Sequence, residues 1–352
     1  MTTIQDVAAR AKVSVSSVSN VLNGRTDRLG AAAFERVEAA IRELDYHPNQ
    51  IARQLKTGHI PMLGLLVPST ANPMYGHLAL QIESVAKEQY GYRVLLGNTY
   101  RDKDQESRMF DDLMSFGVRA VILVSSWTDE RYMDAAISRG LAVVSYDRRA
   151  YPDENSFIDH VSPDNFRAAF MAARHLIELG HTRLAFLSPA SKTNSRTNKI
   201  AGFLAAAQEA GLENSAQIID GPGSAEYADS ALAELGYEMA AHLLDQPHPP
   251  TGVVTVNDMM AIGLMAGLRN AGLSVPEQVS VIGIDDLILS KYSNPPLTTV
   301  RLPIEEMAQT MVQRVMLRLS QPQLAPEEFL FEPSLIMRGS AGAPPAPTPV
   351  SV

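Results

Sequence analysis

Between Met62 and Asp285 short apolar runs alternate with amphipathic stretches, and the whole alternation occurs twice. Met62–Val67, Arg93–Leu96, Ala120–Val124 and Ala142–Ser145 read as buried strands, with helices expected over His77–Gln89, Gln105–Phe116 and Glu130–Arg139. Leu184–Leu187, Gln217–Ile219, Val253–Val256 and Val279–Ile284 repeat the pattern. A strand that gives way to a helix and then to another strand needs a crossover, which sets the strands parallel and puts helices on the sheet faces. Residues 61–338 are therefore expected to form an α/β core of two doubly wound parallel-sheet lobes. Ligands of such sheets bind beyond the carboxyl ends of the strands. Polar pairs recur there: Asp147-Arg148, Asp164-Asn165 where the chain crosses between lobes, Asn257-Asp258 and Asp285-Asp286. A single Asp at a strand end is usually a helix cap, but four such pairs imply a shared polar cleft.

At 352 residues the chain is too long for one ordinary domain. Its composition, 45% hydrophobic and 20% charged, is that of a globular protein. No apolar run approaches the roughly 18 residues of a membrane span. The N-terminus lacks the basic and apolar blocks of a secretory signal, so a cytoplasmic location is expected. Without cysteine there are no disulfides or thiolate metal sites. No dinucleotide fingerprint, Walker loop, nucleophile elbow or H-E-x-x-H occurs, and the eight histidines are scattered. No catalytic residues, cofactor or metal are expected. Residues 339–352 are rich in Pro and Ala, lack heptads and are expected to be a disordered tail.

Residues 1–60 differ from the rest. They carry eight basic and six acidic side chains, a net +2, whereas the remainder of the chain carries −11. A basic head on an acidic body can approach phosphates while the body is repelled by them. Thr3 and Asp6 form a capping box, and Ile4, Val7, Ala8 and Ala11 then share one helix face. Lys12-Val13 makes a turn and Ser14 is a good N-cap for a second helix. In that helix Val15, Val18, Val21 and Leu22 are apolar, whereas Ser16, Ser17, Ser19, Asn20 and Asn23 are small and polar. A third helix directs Phe34, Val37, Ile41 and Leu44 inward. A helix pair around a tight turn, with a polar face on the second helix, is a helix-turn-helix that reads the DNA major groove. The head is thus bounded at 1–47, with a hinge and linker over 48–60.

The spacing of Ile4-x-Asp6-Val7-Ala8, Val13-Ser14, Val18-Ser19-x-Val21-Leu22-Asn23 and Pro48-Asn49-x-x-Ala52-x-x-Leu55 resembles the lac-repressor family of bacterial transcription regulators. The resemblance continues through Asn257-Asp258, Ala261, Gly263, Ser280, Gly283, Asp285-Asp286, Pro295-Pro296 and Thr299, in a core shared with periplasmic sugar-binding proteins. It implies a near-palindromic double-stranded DNA operator, a small-molecule effector, most simply a sugar, and a homodimer. Val15, Ser16 and Asn20 would read base edges, while Ser14, Ser17, Ser19 and Asn23 grip phosphates, with Thr3, Asn49 and Lys56 completing the DNA-facing set. An Asn at position 20 pairs with adenine, where the Arg of several relatives pairs with guanine. Gln50 to Lys56 would form a hinge helix in the minor groove. Leu55 would then wedge a base step and Ala52 line the contact between hinges.

By the same resemblance Asp147, Arg148, Asn257 and Asp285 would bond effector hydroxyls, and Tyr75 and Trp127 would wall the ligand. Three departures stand out. Lys199 occupies the position of an Arg, with Arg196 one turn earlier; Gly221-Pro222-Gly223 follows Asp220 where an aromatic is usual; and Gly30 replaces a Ser cap. A purine-like effector or corepressor is the alternative within the family. A periplasmic sugar-binding protein would need a signal peptide and no head, and an α/β enzyme with a DNA-binding appendage would need a catalytic constellation.

Overall fold

A computed structural model describes residues 2–22, 29–46, 60–124, 131–147, 158–190, 193–221 and 231–346. The chain divides into two compact units, Met1–Ile60 and Pro61–Val352.

In the first unit, α1 (Ile4–Ala11), α2 (Val15–Leu22) and α3 (Ala31–Glu43) enclose a small core. The capping box forms: Thr3 Oγ1 accepts from the Asp6 amide, and the Asp6 carboxylate accepts from the Thr3 amide at 2.8 Å. Lys12 ends α1 in the left-handed conformation (φ 53°), which reverses the chain within two residues. Ser14 then caps α2 by accepting from the Ser17 amide at 3.2 Å. Val7, Ala8, Ala11, Val18, Val37, Ala40 and Tyr46 are buried together. Phe34, expected inward, is only half-buried. The start of α3 has no side-chain cap, because its N-cap is Gly30.

The second unit holds two sheets. β1 (Met62–Val67), β2 (Arg93–Asn98), β3 (Ala120–Leu123), β4 (Ala142–Tyr146), β5 (Asp159–Pro163) and β11 (Glu328–Phe331) form one, in the order β11-β5-β4-β3-β1-β2, all parallel. β6 (Leu184–Ser188), β7 (Ala216–Asp220), β8 (Gly252–Thr255), β9 (Ser280–Asp285), β10 (Thr298–Arg301) and β12 (Ser334–Ile336) form the other, in the order β12-β10-β9-β8-β6-β7, with only β12 antiparallel. Both are doubly wound, as expected. Each reverses its winding where the chain steps across its first strand, between β1 and β3 and between β6 and β8. The helices of the first lobe are α4 (Pro73–Tyr90), α5 (Lys103–Ser115) and a 3-10 turn at Arg131–Met133 leading into α6 (Asp134–Ser138). Those of the second lobe are α7 (Asn165–Glu178), α8 (Asn194–Glu209), α9 (Leu232–Leu244), α10 (Asp258–Asn270) and α11 (Ile288–Tyr292).

The chain passes between lobes after β5, after β10 and again between β11 and β12. After β10, α12 (Ile304–Ser320) returns to pack on α4, β3, β4 and β5 of the first lobe. The sequence reading did not mark β5, β10, β11 or β12 as strands. It also took β2 for a buried strand, whereas β2 is an edge with Leu95 and Leu96 exposed. The tail is a further correction. Ser340 is fully buried, accepts from the Thr298 amide at 2.8 Å and donates to the Val281 carbonyl at 2.6 Å. His181 Nε2 lies 3.0 Å from the Gly342 carbonyl. Residues 339–342 are thus held along the second sheet, with the Gly339 amide donating to the Pro296 carbonyl and the Val281 amide to the Ser340 carbonyl, pairing that composition does not reveal. Residues 347–352 lie outside the described residues.

Candidate functional site

A cavity with about 550 Å³ of free space opens between the two lobes, beyond the carboxyl ends of their strands. It joins both switch points. From the first lobe, Tyr75 of α4 reaches it after β1 and Val124 after β3. From the second, Arg196 of α8 reaches it after β6 and Asn257 after β8. This is where crevices form in doubly wound sheets, because loops on either side of a switch point diverge to opposite faces.

Five of the expected residues meet here: Tyr75, Asp147, Lys199, Asn257 and Asp285. Trp127 and Arg148 lie outside the described residues. Asn165, marked in the sequence as half of a strand-end pair, also lines the cavity, whereas sequence reading missed Asn72, Arg101 and Tyr146 and noted Arg196 only as a departure. Tyr146 was legible in principle, as the neighbour of Asp147. Arg101 was not, because β2 runs to Asn98 and not Leu96, which moves Arg101 from mid-loop to the strand mouth.

The four polar pairs share a division of labour. Asp147, Asn165, Asn257 and Asp285 face the cavity, while three of their neighbours hold the framework. Asp164 caps α7 by accepting from the Arg167 amide at 2.8 Å. Asp286 pairs with Arg301 and Arg338. Asp258, wholly buried, accepts from the Leu287 amide at 2.8 Å and from the Ser290 and Thr299 hydroxyls at 2.5 Å each. A side chain at Gly283 would stand 2.2 Å from Asp258 Oδ1, so only glycine leaves room for this carboxylate. Asn257 caps α10 through Oδ1, 3.0 Å from the Met260 amide, and this fixes its side chain at the cavity wall.

The cavity-facing carboxylates are held under backbone strain. Asp285 has φ 134°, a region L-residues rarely occupy, and Asp147 has φ 156°. Tyr100 and Arg101 are consecutive left-handed residues (φ 54° and 56°). Strain of this kind costs about 1–3 kcal/mol per residue and persists where the surroundings over-determine a functional geometry. Arg101 Nη2 donates to the Tyr75 hydroxyl at 3.2 Å, and Lys199 Nζ donates to the Val256 carbonyl at 2.9 Å.

Burial pushes the Tyr146 hydroxyl well above its ordinary value, and the charges of Asp285 and Asp147 push the same way, so it stays protonated. Burial lowers the Lys199 ammonium and Arg196 lowers it further, while Asp285 and Asp147 oppose this. Burial raises Asp258 to about 6 against its three donors. The site thus presents fixed carboxylate acceptors, cationic donors, amides and neutral phenols, a set suited to binding a molecule rich in hydroxyls.

In the head, Val15 and Ser16 are exposed on α2, and Ser17, Ser19 and Asn20 are half-buried beside them. Ser14 Oγ lies 2.7 Å from Ser16 Oγ and 2.9 Å from Ser17 Oγ, so the hydroxyls at the start of α2 form one cluster around the cap. Asn23, Asn49, Ala52, Leu55 and Lys56 lie outside the described residues. No helix among the described residues is long and apolar enough to cross a membrane.

Comparison with known proteins places these two sites in a common context. Residues 3–49 match the model of the bacterial regulatory proteins of the lacI family, and residues 173–341 match a periplasmic binding protein-like domain. The chain is 33% identical to the ribose operon repressor of Escherichia coli (strain K12) over 97% of its own length and 100% of the relative's. It is 32% identical to the transcriptional repressor PurR of Escherichia coli O139:H28, covering 98% of each. Among solved structures it is similar to the lac repressor dimer bound to operator and an anti-inducer, with a TM-score of 0.82 and 27% identity over 97% of this chain and 99% of that one. These relatives regulate transcription and are not enzymes. With matching head, matching body and full-length relatives above 30% identity, the chain belongs to the lacI family of bacterial regulatory proteins.

Proposed function

We propose that the chain is a homodimeric repressor that binds a near-palindromic operator and releases or holds it according to a sugar-like effector in the interlobe cleft. The observation that carries this reading is the meeting of Tyr75, Asp147, Lys199, Asn257 and Asp285 around one cavity at both switch points. The ribose operon repressor, similar over its whole length, favours a sugar. PurR, equally long and almost as similar, keeps a purine-like effector as the second reading.

Val15, Ser16 and Asn20 read bases, with Thr3, Ser14, Ser17, Ser19 and Asn23 on the backbone of the DNA. The hinge at Asn49, Ala52, Leu55 and Lys56 couples head to body. A dimer is supported by two exposed apolar groups on the body, Leu80, Leu95 and Leu96 on α4 and β2, and Ile288, Leu289 and Tyr292 on α11. Tyr292 is 73% exposed in the single chain, a large apolar surface to leave in water. A regulator of this kind works in the cytoplasm, where its operator is.

Effector closure of the cleft moves the lobes, and it acts on DNA only through a difference in affinity for the two states. The test is a thermal-shift screen of the full chain against sugars and nucleobases, followed by operator titration with each hit. A ligand at one hundred times its dissociation constant adds about 2.7 kcal/mol. A hit that changes operator affinity supports the reading; ligands that bind without affecting the operator overturn the control mechanism.

A further inference from the structure

Two consecutive residues at the mouth of the second lobe have positive φ. Asp285, the last residue of β9, has φ 134°, a region L-residues rarely occupy, and Asp286 is left-handed at φ 55°. Together they turn the chain sharply and require something to hold the turn. The Asp285 side chain lines the cleft, whereas that of Asp286 is bound by two guanidiniums. Arg301 Nε donates to Asp286 Oδ2 at 2.7 Å, and Arg338 Nη2 donates to Oδ1. Each carboxylate oxygen of Asp286 therefore has its own cationic donor.

The two arginines are not equivalent. The Arg301 side chain is 56% exposed and that of Arg338 16%. Arg338 also donates through Nη1 to the Leu297 carbonyl at 2.8 Å. Asp286 and Leu297 are the two ends of the crossover from β9 to β10, so one guanidinium clasps both. The backbone behind it is itself anchored. The Arg338 amide donates to Thr298 Oγ1 at 2.9 Å, and the next two residues bond to Pro296, Thr298 and Val281. The clasp needs two donors held at a fixed angle, which a guanidinium supplies and an ammonium does not.

We infer that Arg338 is a positioning residue of the effector site: through Asp286 it holds the strained turn that presents Asp285 to the cleft. This rests on the cleft being the effector site and on Asp285 being one of its contacts. Without the clasp, the peptide between Asp285 and Asp286 relaxes toward ordinary strand geometry, and the Asp285 carboxylate leaves its place beside Asn257. A segment 52 positions beyond Asp286 thus shapes the site, although no described residue beyond Leu302 lines the cavity.

The test uses the full-length protein and two readouts. The first is hydrogen exchange in peptides covering residues 283–290, which needs no ligand. Arg338→Met and Asp286→Asn should each speed exchange there by roughly tenfold or more, with peptides from β6 and β8 unchanged. Arg301→Gln should do less, because an exposed pair contributes little. Arg338→Lys keeps the charge without the fork and should lie between wild type and Arg338→Met; it and Asp286→Asn carry the test if Arg338→Met does not fold. Exchange that is unchanged over 283–290, or raised equally throughout the second lobe, overturns the inference.

The second readout is calorimetric binding of ribose, glucose and hypoxanthine. A probe that binds wild type should bind Arg338→Met roughly tenfold more weakly or worse, well below the melting temperature of either protein. Adding Arg338→Met to Asp285→Asn should cost less than it costs wild type, because both changes act through one carboxylate. Equal affinity in Arg338→Met, or full additivity with Asp285→Asn, makes Arg338 a structural clasp only and overturns the inference while the effector reading stands. Silence of wild type with all three probes counts against the effector reading, and exchange alone then decides whether Arg338 holds Asp285.

Discussion

Asp159 and Arg318 meet in the protein interior through two hydrogen bonds of 2.8 and 2.7 Å, from Nε and Nη2 of the guanidinium to the two carboxylate oxygens. Asp159 is wholly buried and Arg318 is 3% exposed. Arg314 and the Glu327 amide complete the coordination of the same carboxylate, at 2.9 and 2.8 Å. The cluster ties the first lobe's last internal strand, β5, to α12 and to the approach to β11. It fastens together segments on either side of two passages between lobes.

Removing one partner from such a cluster leaves the others buried and uncompensated. Asp159→Ala should therefore destabilise the body by about 3–5 kcal/mol, read as a drop in the chemical-denaturation midpoint. Burial raises the Asp159 carboxyl, but hydrogen bonds from Arg318 and Arg314 outweigh it and hold the group below its ordinary value. Its contribution is thus complete above the ordinary carboxylate range and is lost as pH falls through the depressed value. An acid-unfolding curve for Asp159→Ala that keeps the wild-type slope would count against this.

Asp258 should behave in the opposite sense. Its carboxyl stands at about 6 in the folded protein against 3.8 for the ordinary group. The folded state therefore binds the proton more tightly, and the stability it contributes is full below about 4 and lost as pH rises through about 6. The difference is on the order of 3 kcal/mol. Unfolding of wild type and Asp258→Asn, compared from about pH 4 to pH 7, should show wild type losing ground as pH rises. A gap that stays flat with pH would refute the assignment.

The difference between these two acids also marks how far the sequence could be read. Asp258 sits beside Asn257 in a recognisable motif, so its place at a strand end was expected, although its turn away from the cavity to support β10 and α11 was not. β5 escaped notice because Asp159-His160-Val161-Ser162-Pro163 has the composition of a loop. What permits Asp159 in a buried strand is Arg314 and Arg318, 155 and 159 positions away, a pairing with no local trace. Alternation of apolar and amphipathic stretches revealed the central strands, β1, β3, β4, β6, β8 and β9, because each is apolar on both faces. The same alternation marked the edge strands β2 and β7, whereas β5 and the returning segments depend on partners distant in sequence. The cleft was legible where strand-end motifs lie and illegible at Arg101, whose position depends on where an edge strand ends.

Asn20 is expected to read one base pair. Asn20→Ala should relax operator preference at a single position by about 1–3 kcal/mol while the salt dependence of binding stays nearly unchanged. A uniform loss at all positions with a shallower salt slope would make it a phosphate contact. Competition binding against a library of operator variants separates the two.

Leu55→Ala should weaken operator binding and reduce the bend of the bound DNA, because wedging a base step exchanges unstacking of a few kcal/mol for a wrapped complex. Ligand-induced thermal shifts should be the same as in wild type. Equal DNA affinity and bend in the variant would remove Leu55 from the minor groove.

Asp285 bears on control rather than on DNA. It lines the cleft with φ 134° and is one of two carboxylates there among the described residues. Asp285→Ala should bind the operator as wild type does in the absence of effector, yet fail to respond to any effector found in the screen. An operator complex that still responds to ligand would exclude Asp285 from the site.

The three passages between lobes have a consequence for synthesis on the ribosome. The lobe whose first strands emerge early cannot be finished early, since its sheet lacks β11 until residue 331 has been made and its cover lacks α12 until residue 320. Until Arg314 and Arg318 have been made, Asp159 has no guanidinium to receive it. The second lobe, by contrast, acquires β6 through β10 in one uninterrupted stretch. Most of the second lobe is thus assembled before the first can be closed, although its own edge strand β12 comes last of all, at Ser334–Ile336. Nascent chains halted between Arg301 and Glu327 would present a nearly complete second lobe beside a first lobe still open along β5, which makes that window the one in which a chaperone has most to protect.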